Sequence, residues 1–324
     1  MKRFFQSEAG AAVLWVLSAL MLAAAIMPWV YQAGTGLAEA AAAGDLSAFQ
    51  EWLGASCGRA KIGRYFSRSL VASALLLLPG LLWRVRAIRA GAGGTAKATG
   101  GAGWKSVAVQ IAAGCVIAGG MLWGMGLVLE ALGAYAPQAK TPATGKFLRA
   151  TLIPAVAAPL LEEWLFRGLL LGLWLKFSRP LAACLGTSLF FAFVHFLDPP
   201  AGSRVADPAA ALAGFELLGK ILRHFTDPRF FVTDFATLFV IGMILAWARV
   251  RTGALWFSIG LHAGWILAFK SFNLLYRTVP DHPLHPWGVG EDLRSGLLPM
   301  LTLGLTAVIC HFVLRRFEAG RPLA

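Results

Sequence analysis

Two adjacent carboxylates and an arginine lie inside an apolar stretch and are the first candidates for chemistry. Glu162 and Glu163 are followed by Arg167, within an apolar run over residues 152–175. A charged side chain at bilayer depth costs roughly 3 kcal/mol on insertion scales, so ionisable groups there mark candidate functional sites.

The spacing of these three residues predicts different roles for them. Residues four apart on a helix share a face, so Glu163 is predicted to pair with Arg167. Glu162 is turned by about 100° from Glu163 and has no local cation. Two neighbouring carboxylates in a low dielectric cannot both ionise cheaply, so the unpaired one is suited to act as a general base. The alternative is a buried Glu–Arg pair that only fixes helix packing.

Two histidines in other apolar stretches are the second candidates. His195 follows Phe191 by one helical turn, which predicts that Phe191 packs against the ring or contacts a substrate side chain. At 1.5 Å per residue, Glu162 and His262 come about halfway through their stretches and His195 nearer one end. We therefore predict that these groups meet in one polar site. The alternative for each histidine is a packed core residue.

Composition places these residues in a polytopic membrane protein. The chain is 58% hydrophobic and 14% charged, with a mean hydropathy of +0.67, outside the range of soluble domains. A membrane-spanning helix needs roughly 20 apolar residues. Eight stretches fit, at about 11–31, 67–83, 106–132, 152–175, 180–197, 231–248, 253–270 and 297–314. We predict an all-α bundle of about eight transmembrane helices around a polar site.

The net charge of +13 reflects cations at helix ends, so the predicted partner surface is the lipid bilayer and not nucleic acid. The main basic clusters lie at 2–3, 84–89, 176–179, 249–251 and 315–321. With eight spans they share one side, which predicts a multi-pass inner or plasma membrane protein with both termini cytoplasmic. Four cations in the predicted outer loop oppose this orientation: Arg59, Lys61, Arg64 and Arg68.

A Gly- and Ala-rich stretch at 90–103 has the composition of a flexible linker. It separates a predicted two-span unit at 1–89 from a six-span unit at 104–324. A second irregular segment, at 198–229, is interpreted as either a lid or a plain surface connection. In the six-span unit, Gly260 and Gly264 flank the second histidine and permit close approach of a helix or a peptide.

Three motifs in this order resemble the CAAX prenyl endopeptidase and bacteriocin-processing family of intramembrane peptidases, also called the Abi family. The motifs are Glu162-Glu163-x-x-x-Arg167, Phe191-x-x-x-His195 and the stretch around His262, and the similarity covers about residues 145–270. The resemblance implies an intramembrane endopeptidase acting on a membrane-associated protein or peptide.

The resemblance also implies a role for each motif residue. Glu162 would activate water, and His195 would help to hold that water or a metal. His262 would stabilise the oxyanion, while Glu163 and Arg167 would order the site. Two histidines and a glutamate, Glu162, His195 and His262, could also supply three ligands to a divalent metal such as zinc. The sequence therefore leaves a cofactor-free mechanism and a metal mechanism open.

One departure from the family pattern favours a non-proteolytic function, and the intramembrane charges leave a second alternative open. The family commonly has asparagine one turn after the third-motif histidine, where this chain has Ile266. Losing one oxyanion-hole donor costs roughly 2.7–4 kcal/mol of transition-state stabilisation. A non-proteolytic scaffold or immunity protein with the same fold is one alternative. A proton-coupled transporter, in which Glu, Arg and His serve as relays, is the other.

Overall fold

A computed structural model describes residues 8–44, 46–91, 103–176, 178–200, 202–290 and 292–318. The elements in chain order are α1 (Glu8–Ala43), α2 (Ala48–Gly58), α3 (Ile62–Gly91), α4 (Trp104–Ala131), β1 (Tyr135–Pro137), α5 (Thr144–Glu162), the π-helical segment π1 (Glu163–Leu170), α6 (Leu171–Trp174), α7 (Pro180–His195), α8 (Ala213–His224), α9 (Pro228–Phe230), the π-helical segment π2 (Phe231–Phe235), α10 (Ala236–Thr252), α11 (Trp256–Leu275), β2 (Tyr276–Thr278) and α12 (Leu297–Glu318). The predicted all-α fold is confirmed.

Several helices are long and apolar enough to cross a membrane. In the described ranges there are five, at Gly10–Ala43, Ile62–Ile88, Trp104–Ala131, Pro228–Thr252 and Leu297–Arg315. The chain is therefore a multi-pass membrane protein, as its composition predicts. Helices also occupy the other three predicted stretches, in α5 to α6, α7 and α11. The count of eight crossings stays a prediction.

Contacts between residues group the chain into two compact units. The first comprises the described residues up to 91 together with Val194–Asp227, and the second comprises the other described residues. The first unit thus includes the irregular segment at 198–227, which chain position alone had assigned to the six-span part. The predicted linker at 90–103 lies mostly outside the described residues, so the predicted domain division stays a prediction.

In the first unit, α8 packs against α1 and α3. The shared core contains Met27, Phe66 and Leu217, all of which are fully buried. Gly214 lets α8 approach the backbone of α1, because a Cβ there would collide with the carbonyl group of Ala24.

In the second unit, α4 and α11 pack with their backbones in contact. A Cβ on Gly260 would collide with the carbonyl oxygen of Ile111, and one on Gly264 with the carbonyl oxygen of Cys115. Small residues allow helices in membranes to approach this closely. The sequence predicts that either a helix or a peptide lies against these two glycines. In the structure, helix α4 lies there.

Beyond α4 and α11, the chain forms a two-stranded antiparallel sheet of β1 and β2, in which Tyr135 pairs with Thr278. Tyr135 is 2% exposed and packs edge-on against Phe272, with ring centroids 5.3 Å apart. Burial raises the pKa of the Tyr135 hydroxyl, which lies outside the membrane-spanning helices. The aromatic contact therefore packs β1 against the last turn of α11.

Candidate active site

The two carboxylates lie where an α-helix changes into a π-helix. Glu162 is the last residue of α5, and Glu163 is the first residue of π1. Pro154 and Pro159 lie inside α5 and remove backbone N–H donors from the turns before the carboxylates. π-Helical turns widen the helix locally and occur frequently at functional sites. The pattern of apolar residues does not predict this segment.

Glu163 is the most buried carboxylate of the site. It is 0% exposed, and its Oε1 accepts hydrogen bonds from Arg167 Nη1 at 3.0 Å and from His262 Nδ1 at 2.9 Å. A carboxylate oxygen beside a guanidinium only accepts hydrogen bonds, so Nδ1 carries a proton. The predicted pairing of Glu163 with Arg167 is observed, and the imidazole is a second partner that local spacing does not predict.

Arg167 is 2% exposed, and three groups of the second unit contact its guanidinium. Besides the carboxylate of Glu163, its Nη2 donates to the carbonyl oxygen of Gly242 at 3.3 Å. Its guanidinium carbon lies 4.2 Å from the ring centroid of Phe191, a cation–π contact. Sequence reasoning missed Gly242, because a backbone carbonyl acceptor leaves no side-chain signal.

Phe191 is an internal packing residue in this structure. Its side chain is 1% exposed, and its ring stands edge-on to the imidazole of His262, with centroids 6.2 Å apart. The ring therefore helps to hold both Arg167 and His262 in place. The predicted contact of Phe191 with a substrate stays a prediction.

Glu162 is the more accessible of the two carboxylates. Its side chain is 29% exposed, and its Oε2 lies 3.8 Å from Nε2 of His262. The imidazole therefore lies between the carboxylates, with Nδ1 hydrogen-bonded to Glu163 and Nε2 facing Glu162. This arrangement gives the two glutamates different surroundings, as their sequence positions predict.

His195 is the last residue of α7, one turn after Phe191, and belongs to the first unit. Its predicted convergence with Glu162 stays a prediction. Across the described part of the chain, no three His, Cys, Asp or Glu residues are arranged to hold a metal ion. Glu163 already engages Nδ1 of His262. The predicted ligand set of Glu162, His195 and His262 for a zinc ion therefore stays a prediction, and the steps proposed below are written for the residues of the chain alone.

The fold and these contacts define a membrane-embedded protein with a buried Glu–Arg–His cluster, the arrangement that the sequence motifs associate with CAAX-type peptidases. Residues 144–268 match a family model described as type II CAAX prenyl endopeptidase Rce1-like. Residues 144–268 are thus similar to this family, as the sequence motifs indicate. In comparisons with curated proteins and with solved structures, nothing matches the chain significantly.

The matched segment holds all of the predicted catalytic residues. It begins with α5 and ends within α11, so Glu162 and His262 both lie inside it. Helices α1 to α4 and α12 lie outside it. The match therefore supports the protease class and membrane association of this segment.

Proposed function

We propose that this chain is an intramembrane endopeptidase that hydrolyses a peptide bond of a membrane-associated protein or peptide, with Glu162 as the general base. The observation that carries the proposal is the position of the His262 imidazole, 2.9 Å from Glu163 and 3.8 Å from Glu162. One carboxylate fixes the imidazole, and the other is accessible beside it. The family match of residues 144–268 supports the same class of reaction.

The charges of the cluster support this division of roles. The guanidinium of Arg167 is always protonated, and it forms a buried ion pair with Glu163 at 3.0 Å. When His262 is protonated on both nitrogens and Glu162 is ionised, two cations balance two anions. A buried cluster with balanced charge avoids the cost of an unpaired buried charge. In this state Nε2–H of His262 is a donor, and Glu162 is an acceptor.

The proposed reaction uses these two groups in sequence. Glu162 takes a proton from water while the water oxygen bonds to the scissile carbonyl carbon. The electron pair of the C=O bond moves to the oxygen, which accepts a hydrogen bond from Nε2–H of His262. The C–N bond then breaks, and the leaving nitrogen takes the proton held by Glu162. By the family resemblance, His195 orients the attacking water.

Glu163 and Arg167 are proposed as positioning residues, since neither needs to touch the substrate. Glu163 fixes the orientation of the imidazole of His262. Arg167 holds Glu163 and is itself held by the carbonyl of Gly242. Supporting hydrogen bonds of this kind keep catalytic groups in productive geometry.

The decisive test is Glu162→Gln, which keeps the size of the side chain and removes the base. Mass spectrometry would compare membrane peptides from cells with the wild type, the variant or no protein. We expect cleavage products that require the wild type and fall at least about 100-fold with the variant, at unchanged thermal stability. Glu216→Gln, an exposed carboxylate of α8, is the matched control and should keep wild-type products.

Other outcomes separate the alternatives. Cleavage at the wild-type rate by Glu162→Gln would refute the proposal. A biological effect that the variant retains without any cleaved product would favour the scaffold or immunity function, to which Ile266 points. Vesicle flux that depends on Glu162, again without product, would favour a transporter.

A further inference from the structure

Three cations at the start of α3 share one exposed face. Lys61 precedes the helix, and Arg64 and Arg68 follow in its first two turns; all three are exposed. Their spacing of three and four residues places them on one side of the helix. We call Lys61, Arg64 and Arg68 the basic face. They are three of the four cations that oppose the orientation expected from the other basic clusters.

The basic face continues directly into an exposed apolar stripe. Val71 and Leu75 follow Arg68 at the same helical spacing, and they are 60% and 63% exposed. The opposite side of α3, including Tyr65 and Phe66, is buried in the first unit. On a helix long and apolar enough to cross a membrane, an exposed apolar stripe faces acyl chains. The cations at its end therefore face the same lipids.

The length of α3 places the basic face at the level of the headgroups. The next cation along the helix is Arg84, so the segment between Arg68 and Arg84 is about 24 Å long at 1.5 Å per residue. The hydrocarbon core is roughly 30 Å thick, and each headgroup layer adds about 5–8 Å. Arg68 then reaches the core boundary by extending its side chain, while Arg64 and Lys61 lie within the headgroup layer.

Among the described residues, no carboxylate forms an ion pair with a member of the basic face. One acidic residue, Asp198, lies beside α3 and accepts a hydrogen bond from Ser67 Oγ at 2.5 Å. The α-helix N-terminus adds partial positive charge at the same place. The basic face thus presents a local excess of positive charge at headgroup depth.

We propose that the basic face binds the headgroup of an anionic phospholipid whose acyl chains lie along Val71 and Leu75. The phosphate and its negative charge complement Lys61, Arg64 and Arg68, since basic residues at a membrane surface attract anionic lipids. The adjoining apolar stripe favours a lipid over a free anion, because only a lipid has acyl chains that can contact it. This site lies in the first unit and does not depend on peptidase activity.

The test uses the full-length protein in mild detergent and native mass spectrometry with phosphatidylglycerol or phosphatidylcholine. We expect the wild type to retain phosphatidylglycerol in preference to phosphatidylcholine. Arg64→Gln should weaken phosphatidylglycerol binding about fivefold, and the triple Gln variant of the basic face should abolish the preference. Inorganic phosphate at the same concentration should not displace the lipid, because it has no acyl chains.

A control variant that removes the same amount of charge elsewhere tests whether the lipid preference depends on this site or on the net charge of the protein. A variant with Lys140, Lys146 and Arg149 all changed to Gln removes three exposed cations from the second unit and should keep the preference. Equal loss in both triple variants would overturn the proposal, and so would displacement by phosphate or equal binding of the two lipids by the wild type. Thermal unfolding in detergent checks that each variant is folded, and Arg64→Gln alone tests the site with the least perturbation.

Discussion

Breaking the ion pair of Glu163 and Arg167 should destabilise the protein far more than removing both charges together. The two side chains are 0% and 2% exposed and are joined at 3.0 Å. Removal of one partner leaves a buried charge uncompensated, which typically costs about 3–5 kcal/mol. We therefore expect Arg167→Met to lower the free energy of unfolding by about that amount.

The double variant Glu163→Leu with Arg167→Met leaves no unpaired ion in the pair. Replacement of a buried ion pair by apolar residues of similar volume is often neutral in stability. Here Nδ1 of His262 also loses its acceptor, which adds about 1–3 kcal/mol. We expect a total loss of about 1–3 kcal/mol, smaller than the loss in the single variant.

Reversible unfolding by sodium dodecyl sulfate in mixed micelles would measure these differences. The matched control is the pair of Glu216 and Lys220, which has the same spacing and a distance of 2.7 Å, but side chains that are 46% and 35% exposed. Solvent screening limits such a pair to about 0.3–0.5 kcal/mol, so Lys220→Met should have a small effect. Additive losses from Glu163 and Arg167 in the double variant would contradict the reasoning.

Three further predictions concern packing, catalysis and pH. Gly114→Ala should cost about 1–3 kcal/mol in thermal unfolding, because its Cβ would lie 2.6 Å from the carbonyl oxygen of Phe257; Gly120→Ala, with nothing within 4 Å, should cost nothing. Ile266→Asn should raise kcat about tenfold or more at little change in KM if a donor there reaches the oxyanion; an unchanged kcat would count against that position as a donor site. Burial raises the pKa of Tyr135. The folded state therefore keeps a proton that the unfolded chain loses near pH 10. The free energy of unfolding should fall as the pH rises above about 10. Tyr135→Phe should reduce that alkaline loss in unfolding titrations, and an unaltered profile would show that another group causes it.

Local spacing predicts one half of the site correctly. The pairing of Glu163 with Arg167 follows from residues four apart on a helix, and the different surroundings of Glu162 follow from its turn away from that face. The glycines beside His262 likewise indicate close packing, which the structure provides through α4. These predictions hold because they depend on helix geometry and residue size.

Residue spacing does not predict contacts between residues that lie far apart in the chain. The hydrogen bond between Glu163 and His262 joins residues 99 positions apart, and no pattern in the sequence shows which ring nitrogen faces which carboxylate. The acceptor at Gly242 is a backbone atom, so it carries no residue-type signal. The change to a π-helix at Glu163 also depends on packing, since neighbouring helices decide whether a wider turn is tolerated.

The segment that matches the family model, residues 144–268, packs through α11 against α4, a helix that lies outside that segment. Gly260 and Gly264 bracket His262, and both meet the backbone of α4, which ends before residue 144. A protein shortened to residues 144–268 would leave this glycine face without its partner helix. The imidazole would then lose the support that fixes its depth beside the two carboxylates. The smallest stretch of chain able to hold the Glu–Arg–His cluster in this geometry should therefore begin no later than α4, well before the first motif.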